Sequence, residues 1–162
     1  MNDGYQTVFQ VSYFSNGSLF KSAIFLVIGI AAVIAVIRSR KSGKASRLQM
    51  ILFFCIWAPF WLSVSGWWFC SNISNGKKLT AALANNQCEV VAGTVQVLHQ
   101  QPWSGHDAGD HIQIGGKDFA YSDYVEMLGY HKTISHGGQL KNGVAARLHY
   151  IGNEILKVEI KQ

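Results

Sequence analysis

The stretch 22–37, SAIFLVIGIAAVIAVI, contains no charged residue, and its reading decides the fold. Extended back to Leu19, with Lys21 snorkelling along its aliphatic stem, it reaches the about 20 residues needed to cross a hydrocarbon core about 30 Å thick. A second run, 49–70, QMILFFCIWAPFWLSVSGWWFC, is also uncharged and needs no extension. The competing reading is a pair of buried helices in a soluble protein. It fails because nothing else in the chain is apolar enough to cover two helices that are apolar on every face. A cleaved signal peptide is disfavoured as well, since no basic leader precedes the first run and its positive charges follow it. The sequence therefore predicts two transmembrane helices, 19–37 and 49–70.

The 162 residues carry 14 Lys and Arg against 9 Asp and Glu, a net charge of +5. Residues 71–162 hold eight of each sign, so they cancel. The excess is Lys21, Arg38, Arg40, Lys41, Lys44 and Arg47, offset by Asp3. Five of those six lie in the loop 38–48, between the two apolar runs. Lys and Arg in a short loop resist translocation, which predicts a cytoplasmic loop close to anionic headgroups. The segment 1–18 and everything after residue 70 are then expected outside. Lys77 and Lys78 argue the other way, but are outnumbered. Nucleic acid is not an expected partner, because the C-terminal region is neutral and carries no basic stripe.

Within the hairpin, Gly29, Ala31, Ala32 and Ala35 suit close helix packing. Pro59 is expected to kink the second span, and Trp67 and Trp68 suit an interfacial belt at its outer end. Apart from Lys21 at the end of the first span, neither span contains Asp, Glu, His, Lys or Arg, groups that transport and proton relay usually require within the membrane. The hairpin reads as an anchor in the lipid bilayer.

Residues 71–87 read as a short helix or linker, with Leu79, Ala82 and Leu83 on one side. From Glu89 the periodicity becomes two. VVAGTVQV puts Val91, Val95 and Val97 on one face, with Gly93 as a bulge or close approach. Ile112 and Ile114 alternate in HIQI, and Gly115-Gly116 forms a hairpin turn into KDFAY. VAARLHY places Val144, Ala146, Leu148 and Tyr150 on one face. Gly152-Asn153 turns the chain into ILKVEI, with Leu156, Val158 and Ile160 inward. Five short strands over 88–162 predict a small all-β barrel or sandwich, OB-like or SH3-like.

The succession V-x-G-x-V (91–95), G-x-x-F-x-Y (116–121) and G-x-x-x-x-L-x-Y (143–150) before a final strand resembles a β-domain of uncharacterised bacterial membrane proteins. Those proteins combine two transmembrane helices with a small extracytoplasmic β-barrel. The resemblance covers residues 88–160 and departs in one respect: both spans precede the domain, where the commoner arrangement flanks it. It implies the fold and no activity.

Candidate sites lie after residue 98, where all six histidines fall. SGHDAGDH (104–111) offers His106, Asp107, Asp110 and His111 as metal ligands or acid/base groups. It lacks H-x-H or H-E-x-x-H spacing, and its turn formers suit a solvated loop. In YSDYVEMLGY, Ser122 and Asp123 suggest a nucleophile and an acid, but Asp123-x-x-Glu126 also reads as the capping box of a short helical turn ended by Gly129. The long loop 129–143 contains His136, Gly137 and Gly138, whose amides could form an anion nest. With Trp103, Tyr121, Tyr124 and Tyr130 it could line a ligand surface; packing of the tyrosines is the alternative. Cys70 and Cys88 could form a disulfide across 17 intervening residues, or remain two unrelated thiols. Cys55 reads as a small apolar residue within the span.

The expected role is a non-enzymatic binding or accessory protein, needing no cofactor, that presents the β-domain at the outer face of a bacterial cytoplasmic membrane. Its partner would be a protein or envelope component contacted by loops 99–110 and 129–143. The alternative is a membrane-anchored metal-dependent hydrolase using His106, Asp107, Asp110 and His111. A third reading makes the anchor a subunit of a larger membrane complex.

Overall fold

The computed structural model describes residues 4–12, 17–42, 46–105, 107–125 and 127–162. The chain divides into two units, Asn16–Asn75 and a second made of Met1–Ser15 with Gly76–Gln162.

The first unit is helical. Helix α1 spans Gly17–Lys41, and α2 (Arg47–Leu52) runs through a π-helical turn, Phe53–Trp57, into α3 (Ala58–Ala84). Ser46 starts α2 with a reciprocal capping box: its hydroxyl accepts the Gln49 N–H while the Gln49 side chain accepts the Ser46 N–H. The π-turn explains how Pro59 is accommodated. Pro59 lacks an N–H, and its ring would crowd the carbonyl one α-turn back. Widening the preceding turn, so that the Ala58 N–H reaches Phe53 O, loosens the ladder just before the proline. The Arg47–Ala84 stretch is 38 residues long, about 57 Å at 1.5 Å per residue and well beyond a hydrocarbon core.

Gly29 sets how closely α1 and α3 approach. A Cβ there would lie 2.4 Å from Trp61 Cδ1. The indole lies over the glycine, donates from Nε1 to Phe25 O at 3.1 Å, and stacks on Phe25 with centroids 5.7 Å apart. Trp57 stacks on Trp61 at 5.5 Å and on Phe53 at 4.7 Å, so residues four apart build an aromatic ladder along one face. Most of the remaining apolar side chains point outward: Phe20 is 70% exposed, Phe60 67% and Trp67 74%. Ser22 and Ser65 are buried, each hydroxyl turned back to a helix carbonyl.

Among the described residues the second unit contains seven strands, β1 (Tyr5–Gln10), β2 (Glu89–Thr94), β3 (Gln96–His99), β4 (Asp110–Ile114), β5 (Lys117–Tyr121), β6 (Ala145–Ile151) and β7 (Glu154–Lys161). They form two antiparallel sheets, ordered β1-β7-β6-β2 and β3-β4-β5. Among the described residues these strands do not close into a barrel, so the architecture is two sheets around a shared core.

Two differences from the sequence reading account for this. First, VVAGTVQV is not one strand. It changes sheet at Val95, which is fully buried, donates its N–H to Val144 O and accepts at its carbonyl from the Gly143 N–H. Second, the segment before the helices supplies β1, which pairs with β7 through a register shift at Val8. The interior joins both sheets: Val95, Ile112, Ile114 and Phe119 meet Ala146, Leu148, Tyr150, Ile155 and Val158. The predicted inward residues of β4, β6 and β7 are largely those that are buried. An extra residue in β7, at Leu156, lets Ile155 and Leu156 both turn inward.

Both predicted hairpin turns form. Gly115 and Gly116 have φ of 55° and 80° and connect Ile114 to Lys117, while Gly152 has φ of 60°. Gly93 is a close approach: a Cβ there would lie 3.2 Å from Gly115 N. Of the short helix or linker expected over 71–87, residues 71–84 are helical and continue α3. The helix ends in a Schellman motif in which Asn86 takes φ of 53°, Gln87 N–H bonds Ala82 O and Asn86 N–H bonds Leu83 O.

Candidate functional site

The loop that leads into β4, 99–110, and the loop 129–143 between β5 and β6 are joined by a buried carboxylate. Asp110 is fully buried at the start of β4. One oxygen accepts the Gln101 N–H at 2.8 Å and the other the Ile134 N–H at 2.6 Å. Gln101 adds further ties: its carbonyl accepts from the Ser135 hydroxyl, and its side-chain oxygen accepts from Ser122 Oγ at 2.7 Å. Gln100 Nε2 also reaches Ser135 Oγ at 3.2 Å. Because both Asp110 oxygens serve backbone donors, removing the carboxylate would strand two N–H groups inside the protein.

The histidine–aspartate stretch is thereby separated by role. Asp107 is exposed; it accepts the Ala108 N–H at 2.6 Å and faces His99 Nε2 at 2.8 Å. The backbone bond from Ala108, then that from His99, hold its carboxyl below the ordinary value. His111 donates from Nε2 to Ala108 O at 3.3 Å, and its ring lies edge-on to His99 at 5.8 Å. His106 lies outside the described residues. Among the described residues no three His, Cys, Asp or Glu side chains are gathered so as to hold a metal ion.

A second acid–histidine pair forms where the sequence suggests a capping box. Residues 123–125 are turn and bend rather than helix, and Glu126 lies outside the described residues. Asp123 instead reaches across to the short 3₁₀ turn Ile134–His136. It accepts the Thr133 N–H at 3.1 Å, the Thr133 hydroxyl, and His136 Nδ1 at 2.7 Å. Partial burial pushes the Asp123 carboxyl up, but the bonds from Thr133 and His136 outweigh it and hold the group below its ordinary value. The Trp103 ring covers His136 with centroids 4.7 Å apart. The Asp123 bond orients the imidazole, as in a general base, but Ser122 is no nucleophile for it: that hydroxyl is buried and turned to Gln101.

The predicted ligand-surface residues separate by exposure. Trp103 is 73% and Tyr124 57% exposed. Tyr124 lies against Gly105, where a Cβ would fall 2.3 Å from the phenol oxygen. Tyr121 and Tyr130 are instead core residues, edge to face at 5.3 Å, and burial pushes both phenols up. Tyr130 OH accepts the Gln139 N–H at 2.8 Å, which braces the 129–143 loop. Gly137 and Gly138 donate their N–H groups to Ile134 O and Thr133 O, so these amides close the 3₁₀ turn rather than open an anion nest. Gly138 has no room for a Cβ, which would lie 2.3 Å from Lys132 O.

Of the two alternatives for Cys70 and Cys88, a disulfide or unrelated thiols, the structure has free thiols, as it has at Cys55.

Local spacing in the sequence did not reveal the Asp123–His136 pair or the Asp110 clamp. Their partners are 13 and 24 residues apart and meet only when the two loops fold against each other. Compared with protein-family models, curated proteins and solved structures, the chain matches none.

Proposed function

We propose that this is a non-enzymatic, membrane-anchored binding or accessory protein, whose β unit displays a recognition surface at the outer face of a bacterial cytoplasmic membrane. The observation that carries the binding role is the pairing of rigidity with exposure. Loops 99–110 and 129–143 are locked together by Asp110 and Gln101, yet Trp103 of the first loop is exposed, as is Tyr124, which packs against Gly105 of that loop. Large aromatic side chains fixed on a braced surface are the residue type that dominates protein recognition. A protein or envelope component is the partner that fits.

Two observations support the membrane placement. Both helical segments are long and apolar enough to span. Strand β1 precedes α1, and β7, its partner, follows α3. If the helices cross a bilayer, that pairing requires an even number of crossings, as two spans provide. The five basic residues of loop 38–48 then favour the β unit outside.

The test is affinity capture from detergent-solubilised membranes, comparing the natural chain with Trp103→Ala. The expected result is one stoichiometric companion that is lost in a variant of unchanged thermal stability. Equal recovery with both chains, or none with either, would remove the recognition surface from consideration.

A further inference from the structure

On the face of the four-stranded sheet opposite its core, Cys88, His149 and Glu159 form a chain of contacts unconnected with the loops described above. Cys88 Sγ lies 3.8 Å from His149 Nδ1, and His149 Nε2 lies 3.2 Å from Glu159 Oε2. The second contact determines the first. A carboxylate only accepts, so in the neutral ring the proton sits on Nε2 and the Nδ1 lone pair faces the thiol. Glu159 is only 8% exposed and is fixed from two further directions, by Lys157 Nζ at 2.6 Å and Arg147 Nη1 at 3.6 Å. Arg147 also lies over the Tyr5 ring, 4.1 Å from its centroid. Burial alone would push the Glu159 carboxyl up, but the bonds from Lys157 and His149 hold it below its ordinary value, as an anion. Cys88 is half-buried, unlike the exposed Cys55 and Cys70.

We propose that Cys88 is a reactive thiol that exchanges with small-molecule disulfides, with His149 as its base and Glu159 as the positioning residue. The Cys88 S–H proton passes to His149 Nδ1, and the Cys88 sulfur attacks one sulfur of the incoming disulfide. The S–S bond of that disulfide breaks, and the departing thiolate recovers the proton from His149. The products are a mixed disulfide on Cys88 and one free thiol, with no other oxidant consumed. A base held at the thiol raises the fraction of encounters that react.

The experiment uses the full chain in detergent with Cys55→Ala and Cys70→Ala, reacted at pH 7 with 4,4′-dithiodipyridine, an uncharged disulfide whose released thiopyridone absorbs in the near ultraviolet. Replacing His149 by Gln is expected to slow the reaction at least about tenfold, the low end of what a positioned base supplies. A rate within twofold of the parent would overturn the proposal. A second arm needs no further variant: the folded parent is compared with the same chain unfolded in guanidinium chloride. The relay requires the folded thiol to react faster although it is half-buried, and a slower folded thiol would overturn the proposal equally.

Discussion

The two units of this chain distribute apolar side chains in opposite ways. In the β unit Ile112, Ile114, Leu148 and Val158 are fully buried, and the faces away from the core carry Arg147, His149 and Lys157. In the helical unit Phe20, Phe60 and Trp67 project outward while Ser22 and Ser65 are buried. Water favours the first arrangement and opposes the second, since each buried apolar side chain gains about 1.5–3 kcal/mol over an exposed one in water. An exposed apolar face is stable only where its surroundings are themselves apolar. There, helix association depends on close approach and on satisfied polar groups, which Gly29 and the Trp61–Phe25 hydrogen bond provide.

The contrast can be broken at particular residues. The largest effect is expected at Asp110. Asp110→Ala should cost the β unit about 4 kcal/mol, because the buried Gln101 N–H and the partly buried Ile134 N–H both lose their acceptor. Guanidinium unfolding followed by tryptophan fluorescence reads this directly, and a loss under about 1 kcal/mol would mean that water replaces the carboxylate. Next, Ile112→Ala should cost about 3 kcal/mol, as a methylene-lined hole opens in a closed core. The chemically similar Ile34→Ala, on the exposed face of α1, should change stability in detergent by under about 0.5 kcal/mol. Equal costs would show that α1 is covered by protein rather than by lipid or detergent.

A smaller pair of changes sharpens the comparison within the helices. Gly29→Ala should cost about 1–2 kcal/mol by displacing Trp61, whereas Gly66→Ala meets nothing within 4 Å and should be neutral or slightly stabilising. A thermal shift of the detergent-solubilised chain ranks the two.

The smallest expected effect concerns pH. The Asp123 carboxyl is held below its ordinary value in the folded state. Its contribution is therefore complete above the unfolded value of about 4, and is lost as pH falls through the lower folded value. Asp123→Asn should flatten that part of the acid limb while leaving stability at pH 7–9 with an unchanged slope.

How much was legible in the sequence differs between the units. The apolar runs located both helices, since about 20 uncharged residues in succession leave few alternatives. Alternation with period two located the core faces of β4, β6 and β7, and paired glycines located the β4–β5 turn. Other features were illegible for physical reasons. The break of VVAGTVQV at Val95 leaves the alternation intact, because a residue at the corner between two sheets still faces the shared core. YQTVFQ (5–10) has too little alternation to read as a strand without β7 beside it. Tyr121 and Tyr130 looked like ligand-surface residues because an aromatic carries the same signal whether it packs or binds.

The sequence by itself determined the separation of a long apolar, basic-looped segment from a neutral β region, because hydropathy and charge are local and additive along the chain. Only the tertiary structure decided which acid meets which histidine. Asp110 goes to two backbone N–H groups and Asp123 to His136, while Cys88 meets His149 rather than Cys70. Those pairings depend on how loops and strands distant in sequence pack together, and an interaction that acts over about 3 Å leaves no mark on residue spacing.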